Sequence, residues 1–379
     1  MSALLKLFNE HGVEKAKEIL STDPYNIKMK ETDNFLLLDY DQINSKRKDP
    51  IVDECRGCII DKIRMEFACR PFDRFYNYGE FPEMEAEFDW STAAVIEKVD
   101  GSLIKVWYNL YEDRWEIATR FSMFGDNTIT TLTGEEGTMT FRGLFLRAFG
   151  GLTEDQFQSF MRSMCNVIGS GNTMLFELCT MENKVVTSYE KDTVFLLGVR
   201  RNSLESTVDE LREPYMREVA EAYGVSFPER YAVCSFKEAV ELANSLGGMR
   251  EGFVIRDGEN RRLKIKSAAY LLAHHMRGEG VTPKRAVKLA LAGEVPEFLS
   301  YFPEYTEILT KYQEQVELTK AAIEIVFSQI SSIENQKEFA MEAMRYDFNS
   351  ILFSMRKGKT MQEALDRLTE KGLVELFKP

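Results

Sequence analysis

The sequence predicts an α+β protein whose sheets are mostly antiparallel, followed by an all-α region. From residue 51 to about residue 270, short β-branched and aromatic runs alternate with turn signals. The gaps between these runs are more often of hairpin length than long enough for a βαβ crossover. Residues 304–357 contain neither Gly nor Pro, and apolar residues recur there at helical spacing. We therefore predict one domain over residues 1–270 and a helical domain over residues 271–379.

Individual elements follow from capping and periodicity. Pro283 after Thr282 is typical of a helix start, and Gly358 is typical of a helix end. In the first domain we predict helices over residues 2–20, 153–167 (opened by a Thr-x-x-Gln cap signal), 206–223 and 235–246. The predicted strands lie in residues 55–61, 95–110, 115–121, 173–179, 184–189, 193–201, 251–258 and 262–270.

Composition bounds the class of protein. A chain of 379 residues with 44% hydrophobic residues can bury a large core. No segment approaches the roughly 18 uninterrupted apolar residues that a membrane span needs. The N-terminal residues alternate charged and apolar side chains, where a signal peptide would have a continuous apolar core. We therefore expect a cytoplasmic protein that does not enter a membrane, and one of the host cytoplasm if it is phage-encoded.

The six cysteines are scattered through the chain, so we expect reduced thiols and no disulfide framework. Cys55 and Cys58 form a C-x-x-C pair, but a zinc site would need a second ligand pair. The nearest further candidate is Cys69, and all three histidines lie elsewhere in the sequence. Ordinary strand cysteines are therefore the favoured interpretation over a zinc or redox site.

The net charge of -13 argues against a protein that wraps nucleic acid over its whole surface. Residues 250–288 are different, because they contain ten Arg or Lys residues against four Asp or Glu. Such a basic region is typical either of a solvated face or of a nucleic-acid contact.

Several charged residues lie inside strands that otherwise look buried, where a charge needs a partner or a ligand. Alternation along a strand places Lys264 and Lys266 on one face, and it likewise places Lys98 and Asp100 on one face with Val99 on the other. Two neighbouring ammonium groups repel each other unless an anion such as a polyphosphate lies between them. In chain order the charged elements are Lys98-x-Asp100-Gly101, Phe176-Glu177, Glu251-Gly252-x-Val254 and Lys264-x-Lys266.

This ordered set resembles nucleotidyl motifs I, III, IV and V of the covalent nucleotidyltransferases, which comprise ATP-dependent DNA and RNA ligases and mRNA capping enzymes. Residues 193–200 stand where motif IIIa of that superfamily would fall. The resemblance is closest to the phage RNA ligases that repair tRNA. Those enzymes carry an E-C-R-G element and an R-P-x-x-K-F-F-N-like element before motif I, and residues 54–57 and 70–77 match these elements here.

The resemblance implies an adenylylation domain, ATP as substrate, Mg²⁺ or Mn²⁺ as cofactor, and RNA with 5′-phosphate and 3′-hydroxyl ends, such as tRNA, as partner of a monomer. The helical domain would then select the RNA, and the basic region would contact its backbone. A lysine attacks the α-phosphate of ATP only as the neutral amine, a form that nearby cations and burial favour. The implied reaction runs through lysyl-AMP, then an adenylylated RNA 5′ end, and then attack by a 3′-hydroxyl.

The resemblance also implies roles for individual residues. Lys98 would be the nucleophile, and Lys264 and Lys266 would contact the α-phosphate. Asp100 and Glu177 would hold the ribose or orient the site, and Glu251, with Asp100, would hold a metal ion. Gly101 and Val254 would belong to the nucleotide site. Arg56, Arg74 and Arg120 would reach the triphosphate or the RNA 5′-phosphate, and Tyr76 and Tyr270 would lie near the nucleotide. Both tyrosines are equally typical of core aromatics with satisfied hydroxyls.

Three positions depart from the family pattern. Arg74 replaces the usual lysine, Tyr76 stands where the family has phenylalanine, and Thr119-Arg120-Phe121 stands where a Lys-Gly pair is expected. Two alternatives stay open at this point. One is another covalent nucleotidyltransferase, namely a DNA ligase or a capping guanylyltransferase. The other is a non-catalytic RNA-binding module on the same fold.

Overall fold

The computed structural model describes residues 2–130, 137–184, 186–187, 189–203, 209–246, 250–275 and 281–379. The chain divides into two compact units, Met1–Tyr270 and Leu271–Pro379. The first unit combines helices with mostly antiparallel sheets, and the second is helical where it is described, so the predicted fold class is confirmed. None of the helices in the described ranges is both long and apolar enough to cross a membrane.

The strands are β1 (Ile27–Glu31), β2 (Phe35–Tyr40), β3 (Arg56–Asp61), β4 (Glu66–Cys69), β5 (Tyr76–Asn77), β6 (Ala94–Lys98), β7 (Ser102–Asn109), β8 (Arg114–Ala118), β9 (Thr128–Thr130), β10 (Thr138–Thr140), β11 (Asn172–Cys179), β12 (Thr193–Arg201), β13 (Arg230–Tyr231), β14 (Gly252–Arg256) and β15 (Arg262–Lys266). They form sheets with the orders β1-β2-β3-β4, β12-β11-β7-β8 and β13-β6-β14-β15-β5, and a small β9-β10 pair. The β15–β5 pairing is parallel, and the other pairings within the sheets are antiparallel.

The helices are α1 (Ala3–Leu20), α2 (Pro50–Glu54), α3 (Pro82–Ala86), α4 (Phe141–Ala148), α5 (Glu154–Ile168), α6 (Glu213–Ala222), α7 (Phe236–Ser245), α8 (Ala268–His275), α9 (Pro283–Ala292), α10 (Val295–Tyr301), α11 (Thr306–Ile330), α12 (Gln336–Ala343), α13 (Asn349–Arg356), α14 (Met361–Leu365) and α15 (Glu370–Leu376). Capping explains several starts. Thr153 and Gln156 form a capping box before α5, and Ser2, Ser235 and Thr282 each cap the helix that follows.

Several predicted elements differ from the structure. The strand predicted over residues 262–270 ends at Lys266 and is followed by α8, and the strand predicted over residues 95–110 is divided into β6 and β7 by a turn. The helix predicted over residues 206–223 begins only at Glu213, because Pro214 fixes the first turn and Glu210 pairs with Arg200 of β12; residues 206–208 lie outside the described part. The strand predicted over residues 184–189 is not formed at its described positions. There the amides of Val186 and Thr187 donate to the carboxylate of Asp100; residues 185 and 188 are outside the described part.

Each sheet of the first unit has its own helices. α1 and α2 pack on the β1–β4 sheet, α4, α5 and α6 on the β12-β11-β7-β8 sheet, and α7 on the sheet that contains β6 and β14. The first two sheets also pack on each other around Trp107 of β7, whose indole N–H donates to the carbonyl of Met123 at 3.1 Å. β7 is therefore buried on both faces, which explains its nearly continuous apolar sequence.

The second unit is built around α11, which contributes one residue from almost every turn to a helical core. The residues that α11 buries are Leu309, Tyr312, Val316, Thr319, Ile323, Val326 and Ile330. The helical spacing in the sequence predicts a core face of Ile308, Tyr312, Val316, Thr319, Ile323, Phe327 and Ile330. Five of these seven are buried, Phe327 is half-buried and packs against the core, and Ile308 is 37% exposed.

Shortening a buried side chain of α11 should destabilise the second unit. Ile323 is fully buried, so Ile323→Ala should cost about 2–5 kcal/mol of unfolding free energy by removing packed methyl groups. Leu318 on the same helix is 67% exposed, so Leu318→Ala should change the unfolding free energy by less than about 0.5 kcal/mol. Urea unfolding followed by far-ultraviolet circular dichroism measures both. Equal effects of the two substitutions would contradict the packing described here.

Candidate active site

The first unit contains a cavity of about 340 Å³ between the sheet that holds β6, β14 and β15 and the strands β11 and β12. Eight of the residues that the sequence singled out line it: Arg56, Lys98, Gly101, Glu177, Glu251, Val254, Lys264 and Lys266. The other five, Arg74, Tyr76, Asp100, Arg120 and Tyr270, are not among its lining residues. The ordered motifs, distant in sequence, therefore meet largely in one place.

Strand register explains why the lysines meet. On the central strand β14, Gly252 lies opposite Lys98 of β6 on one side and opposite Lys266 of β15 on the other. Two residues along, Val254 lies opposite Lys264. The lysines therefore share one face of the sheet, as alternation predicted, while the intervening apolar residues of β15 enter the core.

Gly252 is required at the centre of this arrangement. Its φ of +140° is a conformation that side chains rarely adopt, and a Cβ atom there would lie 2.1 Å from the carbonyl oxygen of Ile265. The close approach of β14 to β15 holds the backbones of Lys98 and Lys266 in register on either side of a residue without a side chain.

Lys98 forms an ion pair inside the cavity. Its Nζ donates to Oε2 of Glu251 at 2.5 Å, and the Glu251 side chain is 5% exposed while that of Lys98 is 23% exposed. A charge-assisted hydrogen bond of this length, with one partner almost fully desolvated, fixes the direction of the amine. The amine thus points toward the interior of the cavity rather than to bulk solvent.

Glu177 of β11 faces this pair from the opposite wall. Burial raises the pKa of its carboxyl to about 7; the attraction of Lys98 opposes this rise, and repulsion from the Glu251 carboxylate adds to it. Two carboxylates therefore meet across the cavity close to three lysines. This is a charge arrangement suited to an anionic ligand accompanied by a cation.

The remaining lining is apolar and aromatic, and the sequence prediction missed most of it. Phe75 lies under two cations, since the guanidinium carbon of Arg56 is 5.0 Å and Nζ of Lys264 is 5.4 Å from its ring centre. The predicted aromatic contact was Tyr76, which instead enters the core and donates from its hydroxyl to Asp53 at 2.6 Å. Side chains of consecutive extended residues lie on opposite faces. Had Tyr76 been assigned to the core, this alternation would have predicted Phe75 in the cavity. Further apolar lining comes from Phe72, Ile96, Leu103, Leu197, Met216, Phe227 and Pro228.

Asp100 has a different environment from the one predicted. β6 ends at Lys98, so strand alternation does not extend to Asp100, and Val99 lines the cavity. One Asp100 oxygen accepts from the hydroxyl of Tyr270 at 2.9 Å, and the other accepts from the amides of Val186 and Thr187 at 3.0 and 2.8 Å. Both oxygens are engaged inside the protein. Tyr270 is thus a buried aromatic with a satisfied hydroxyl that holds the turn after Lys98.

A cluster of arginines lies around Tyr40, outside the cavity lining. The guanidinium carbons of Arg74 and Arg120 are 4.2 and 4.4 Å from the centre of the Tyr40 ring, and Arg120 also pairs with the buried Asp39 at 2.7 Å. Burial lowers the pKa of Arg56, and the charge of Arg120 lowers it further, so these two cations are neighbours. We call Tyr40, Arg74 and Arg120 the Tyr40 cluster.

Lys105 is a fully buried lysine that the sequence analysis did not single out. It lies on β7 between two sheets, and its Nζ donates to the carbonyl of Gly57, the residue after Arg56. Burial lowers the pKa of Lys105, while the nearby Cys69, Cys58 and Asp39 oppose this shift. A buried cation under this turn fixes the backbone that carries Arg56 into the cavity.

At the far end of the cavity, Arg256 and Arg262 share one acid partner. Both pair with the buried Glu210, and the guanidinium of Arg262 also stacks on the ring of Phe72 at 4.3 Å. Burial opposes ionisation of Glu210, but the arginines, Arg262 foremost, hold its pKa below the usual value. These guanidinium groups therefore form a rigid wall.

Two further expectations concern metals and the basic region. In the residues that the structure describes, no group of three or more His, Cys, Asp or Glu side chains is arranged to hold a metal ion, and the three cysteines of the 55–69 segment are buried in cores.

In the basic region, Lys284 and Lys288 pair with Glu370 at 2.5 and 3.1 Å. Arg277 lies outside the described residues, and the predicted RNA contact of this region stays a prediction.

Comparison with known proteins identifies the family. A model of the RNA ligase family matches residues 54–270, more than half of the chain and the whole segment that carries the motifs. The chain belongs to the RNA ligase family. It is 28% identical over 373 residues to a protein of Autographa californica nuclear polyhedrosis virus that is provisionally named a bifunctional polynucleotide kinase/RNA ligase, covering 94% of this chain and 51% of the viral protein. This chain thus spans about half the length of that relative.

A second relative is named RNA ligase and comes from Rhodothermus phage RM378. It is 25% identical over 386 residues, which cover 84% of this chain and 86% of the phage protein. Among solved structures, an archaeal ATP-dependent RNA ligase is similar with a TM-score of 0.49 and 16% identity, over 96% of this chain and 81% of that one.

The Glu177 carboxyl should titrate near pH 7. A raised pKa keeps the proton on the folded protein up to that pH, so the carboxylate form grows as pH rises through 7. Neutralising the like charge by Glu251→Gln should lower the midpoint, and removing the opposite charge by Lys98→Met should raise it. Nuclear magnetic resonance of a carboxyl-labelled Glu177, assigned by Glu177→Gln, measures the midpoints. A midpoint near 4.5 in wild type would contradict this environment.

The raised pKa of Glu177 also makes the stability of the fold depend on pH. The folded state binds the Glu177 proton more tightly than the unfolded chain does, so this group stabilises the fold below its ordinary pKa. That contribution is lost as pH rises through about 7.

A side chain at Gly252 should disrupt the site. Gly252→Ala would place Cβ against the Ile265 carbonyl and force β14 away from β15, so we expect either an unfolded first unit or loss of ligand binding in the cavity. Gly358→Ala is a matched control, because Gly358 also has a positive φ of 80° but open space around its Cβ position. The control should cost only about 1 kcal/mol. Calorimetric unfolding and nucleotide binding of both variants test the difference, and a Gly252→Ala protein that is as stable as wild type and binds nucleotide equally well would refute the close approach.

Proposed function

We propose that this protein is an ATP-dependent RNA ligase that joins RNA 5′-phosphate and 3′-hydroxyl ends through an enzyme–AMP adduct on Lys98. The observation that carries the proposal is the placement of the Lys98 amine in a cavity with Lys264 and Lys266 on the same sheet face and with Glu177 opposite. Membership of the RNA ligase family supports it independently.

The first step transfers AMP from ATP to the enzyme. The lone pair of Lys98 Nζ attacks the α-phosphorus, the bond from phosphorus to the bridging oxygen breaks, and pyrophosphate leaves with that electron pair. The amine must first give up a proton, and Glu251 Oε2 at 2.5 Å is its hydrogen-bond acceptor in the structure. Lys264 and Lys266 supply positive charge where the transferring phosphate becomes more negative.

The nucleotide fits the rest of the cavity. A purine is flat and apolar on its faces, and the lining offers Phe75, Val254 and Leu197 for such faces. Glu177 is the acceptor that we assign to the ribose hydroxyls. Asp100, whose oxygens are engaged by Tyr270 and two amides, is a positioning residue that fixes the turn after Lys98.

A divalent cation fits beside the carboxylates. The Glu251 carboxylate contributes to the raised pKa of the Glu177 carboxyl, and a cation beside the two groups relieves this repulsion. We assign Glu251 as the principal metal-holding residue. When bound, Mg²⁺ or Mn²⁺ neutralises phosphate charge during displacement.

The second and third steps act on RNA. An oxygen of the RNA 5′-phosphate attacks the phosphorus of the Lys98 adduct, the phosphorus–nitrogen bond breaks, and the Lys98 amine leaves and takes up a proton. The 3′-hydroxyl oxygen of the other end then loses its proton and attacks the RNA 5′-phosphorus, and AMP leaves with the electron pair of the broken phosphorus–oxygen bond. Arg56, which lines the cavity, and the Tyr40 cluster beside it offer guanidinium groups for the RNA phosphates. Broken tRNA is the substrate we propose, by resemblance to the phage enzymes.

The test is covalent labelling. Wild-type protein with Mg²⁺ or Mn²⁺ should acquire label from α-labelled ATP but not from α-labelled GTP, and Lys98→Ala should lose it completely because the nucleophile is gone. Lys191→Ala is the control, since Lys191 is an exposed lysine outside the cavity. Labelled wild type should then circularise a 5′-phosphorylated oligoribonucleotide.

The alternatives give different results. Label from GTP would indicate a capping guanylyltransferase, and joining of DNA ends in preference to RNA would indicate a DNA ligase. Absence of label in wild type and Lys191→Ala alike would favour a non-catalytic RNA-binding module. Equal labelling of Lys98→Ala and wild type would remove Lys98 from the mechanism.

A further inference from the structure

Phe121 is a large apolar side chain held out in solvent by an ordered turn. It is 56% exposed, although it lies only three residues after the end of β8 and two after the buried Thr119. The hydroxyl of Thr119 accepts from the amides of Phe121 and Ser122 at 3.3 and 3.1 Å, and the Thr119 amide donates to the Ser122 carbonyl at 2.9 Å. The turn therefore fixes the backbone at Phe121 through its own hydrogen bonds.

A second element supports the same residue. Nζ of Lys30, on β1, donates to the carbonyl of Phe121 at 2.7 Å across 91 positions of sequence. Exposing a phenylalanine forgoes the favourable free energy of burying its ring. Here hydrogen bonds from two sides hold the backbone from which the ring projects.

The surroundings of the ring are cationic. The guanidinium carbon of Arg120 lies 5.4 Å from the centre of the Phe121 ring and 4.4 Å from the centre of the Tyr40 ring. The guanidinium carbon of Arg74 lies 4.2 Å from the centre of the same Tyr40 ring. With Arg56 over Phe75 at the cavity, cations and aromatic rings alternate from the cavity to Phe121. Grooves that bind single-stranded nucleic acid combine these two features, since arginines hold phosphates and rings stack on bases.

We infer that Phe121 is a stacking platform for a base of the single-stranded RNA substrate, with Arg120 at the neighbouring phosphate. This inference rests on the proposed RNA-joining function, which it extends by naming where the strand leaves the cavity. RNA fits better than a protein partner, because Phe121 is bordered by Arg120 and Lys30 rather than by a continuous apolar face.

The experiment measures binding of a 5′-phosphorylated oligoribonucleotide by fluorescence anisotropy. Phe121→Ala should raise the dissociation constant at least about fivefold, in keeping with the loss of one base stack. Phe121→Trp, which keeps a stacking face, should bind within about twofold of wild type. Ile63→Ala is the surface control: Ile63 is 65% exposed in the turn between β3 and β4, and its removal should leave the dissociation constant unchanged.

A set of oligoribonucleotides, each with a single abasic nucleotide, separates stacking from a structural effect. Wild type should lose affinity when one particular base is absent, and Phe121→Ala should be insensitive to that same omission, because the two changes remove one interaction. Equal affinity of Phe121→Ala and wild type would overturn the inference. So would a Phe121→Ala protein that loses as much affinity as wild type at every abasic position.

Labelling with α-labelled ATP in parallel distinguishes the two proposals. If wild type takes no label but its RNA binding depends on Phe121 and the stacked base, the ligase function fails and the platform stands. If wild type is labelled at Lys98 and Phe121→Ala leaves RNA binding unchanged, the ligase function stands and the stacking platform fails.

Discussion

The close pairing of β14 with β15 at Gly252 is the constraint on which the site depends. A residue without a side chain lets the two backbones approach, and the ladder that follows places Lys98, Lys264 and Lys266 on one face. Like charges repel, so hydrophobic burial of the opposite face must hold them together; Ile265 and Phe253 enter the core there. The sheet thus presents three ammonium groups on one face, and positive charge positioned in advance favours an anionic ligand such as a polyphosphate.

Carboxylates set the geometry of the cations around the cavity. Glu251 orients Lys98, Glu210 holds two arginines of the far wall, and Asp39 holds Arg120 against Tyr40. Such pairing costs desolvation, yet a buried cation without a partner would cost more. The acids therefore preorganise the cations, and a phosphate meets guanidinium and ammonium groups that have already lost much of their rotational freedom.

Sequence reasoning predicted which lysines share a sheet face, because strand alternation is a local property; the roles of these residues stay predictions. Lys264 and Lys266 share a face as the period of two requires, and Lys98 joins them through register. The same rule failed at Asp100, because β6 ends at Lys98 and alternation has no meaning in the turn that follows. Phe75, Lys105 and the partner of Arg120 were missed for a different reason. Their surroundings come from strands distant in sequence, and no local pattern records which sheet packs on which.

The net charge of -13 is compatible with an RNA substrate only if the cations are concentrated where the strand runs. The arrangement from Phe75 through Arg56 and the Tyr40 cluster to Phe121 is the path that we propose, because guanidinium groups and aromatic rings lie side by side along it. Because each of these guanidinium groups lies against a ring, phosphate binding there needs little rearrangement. Stacking on bases depends less on salt than phosphate contacts do, so in the path that we propose the rings would add binding free energy that ions do not screen.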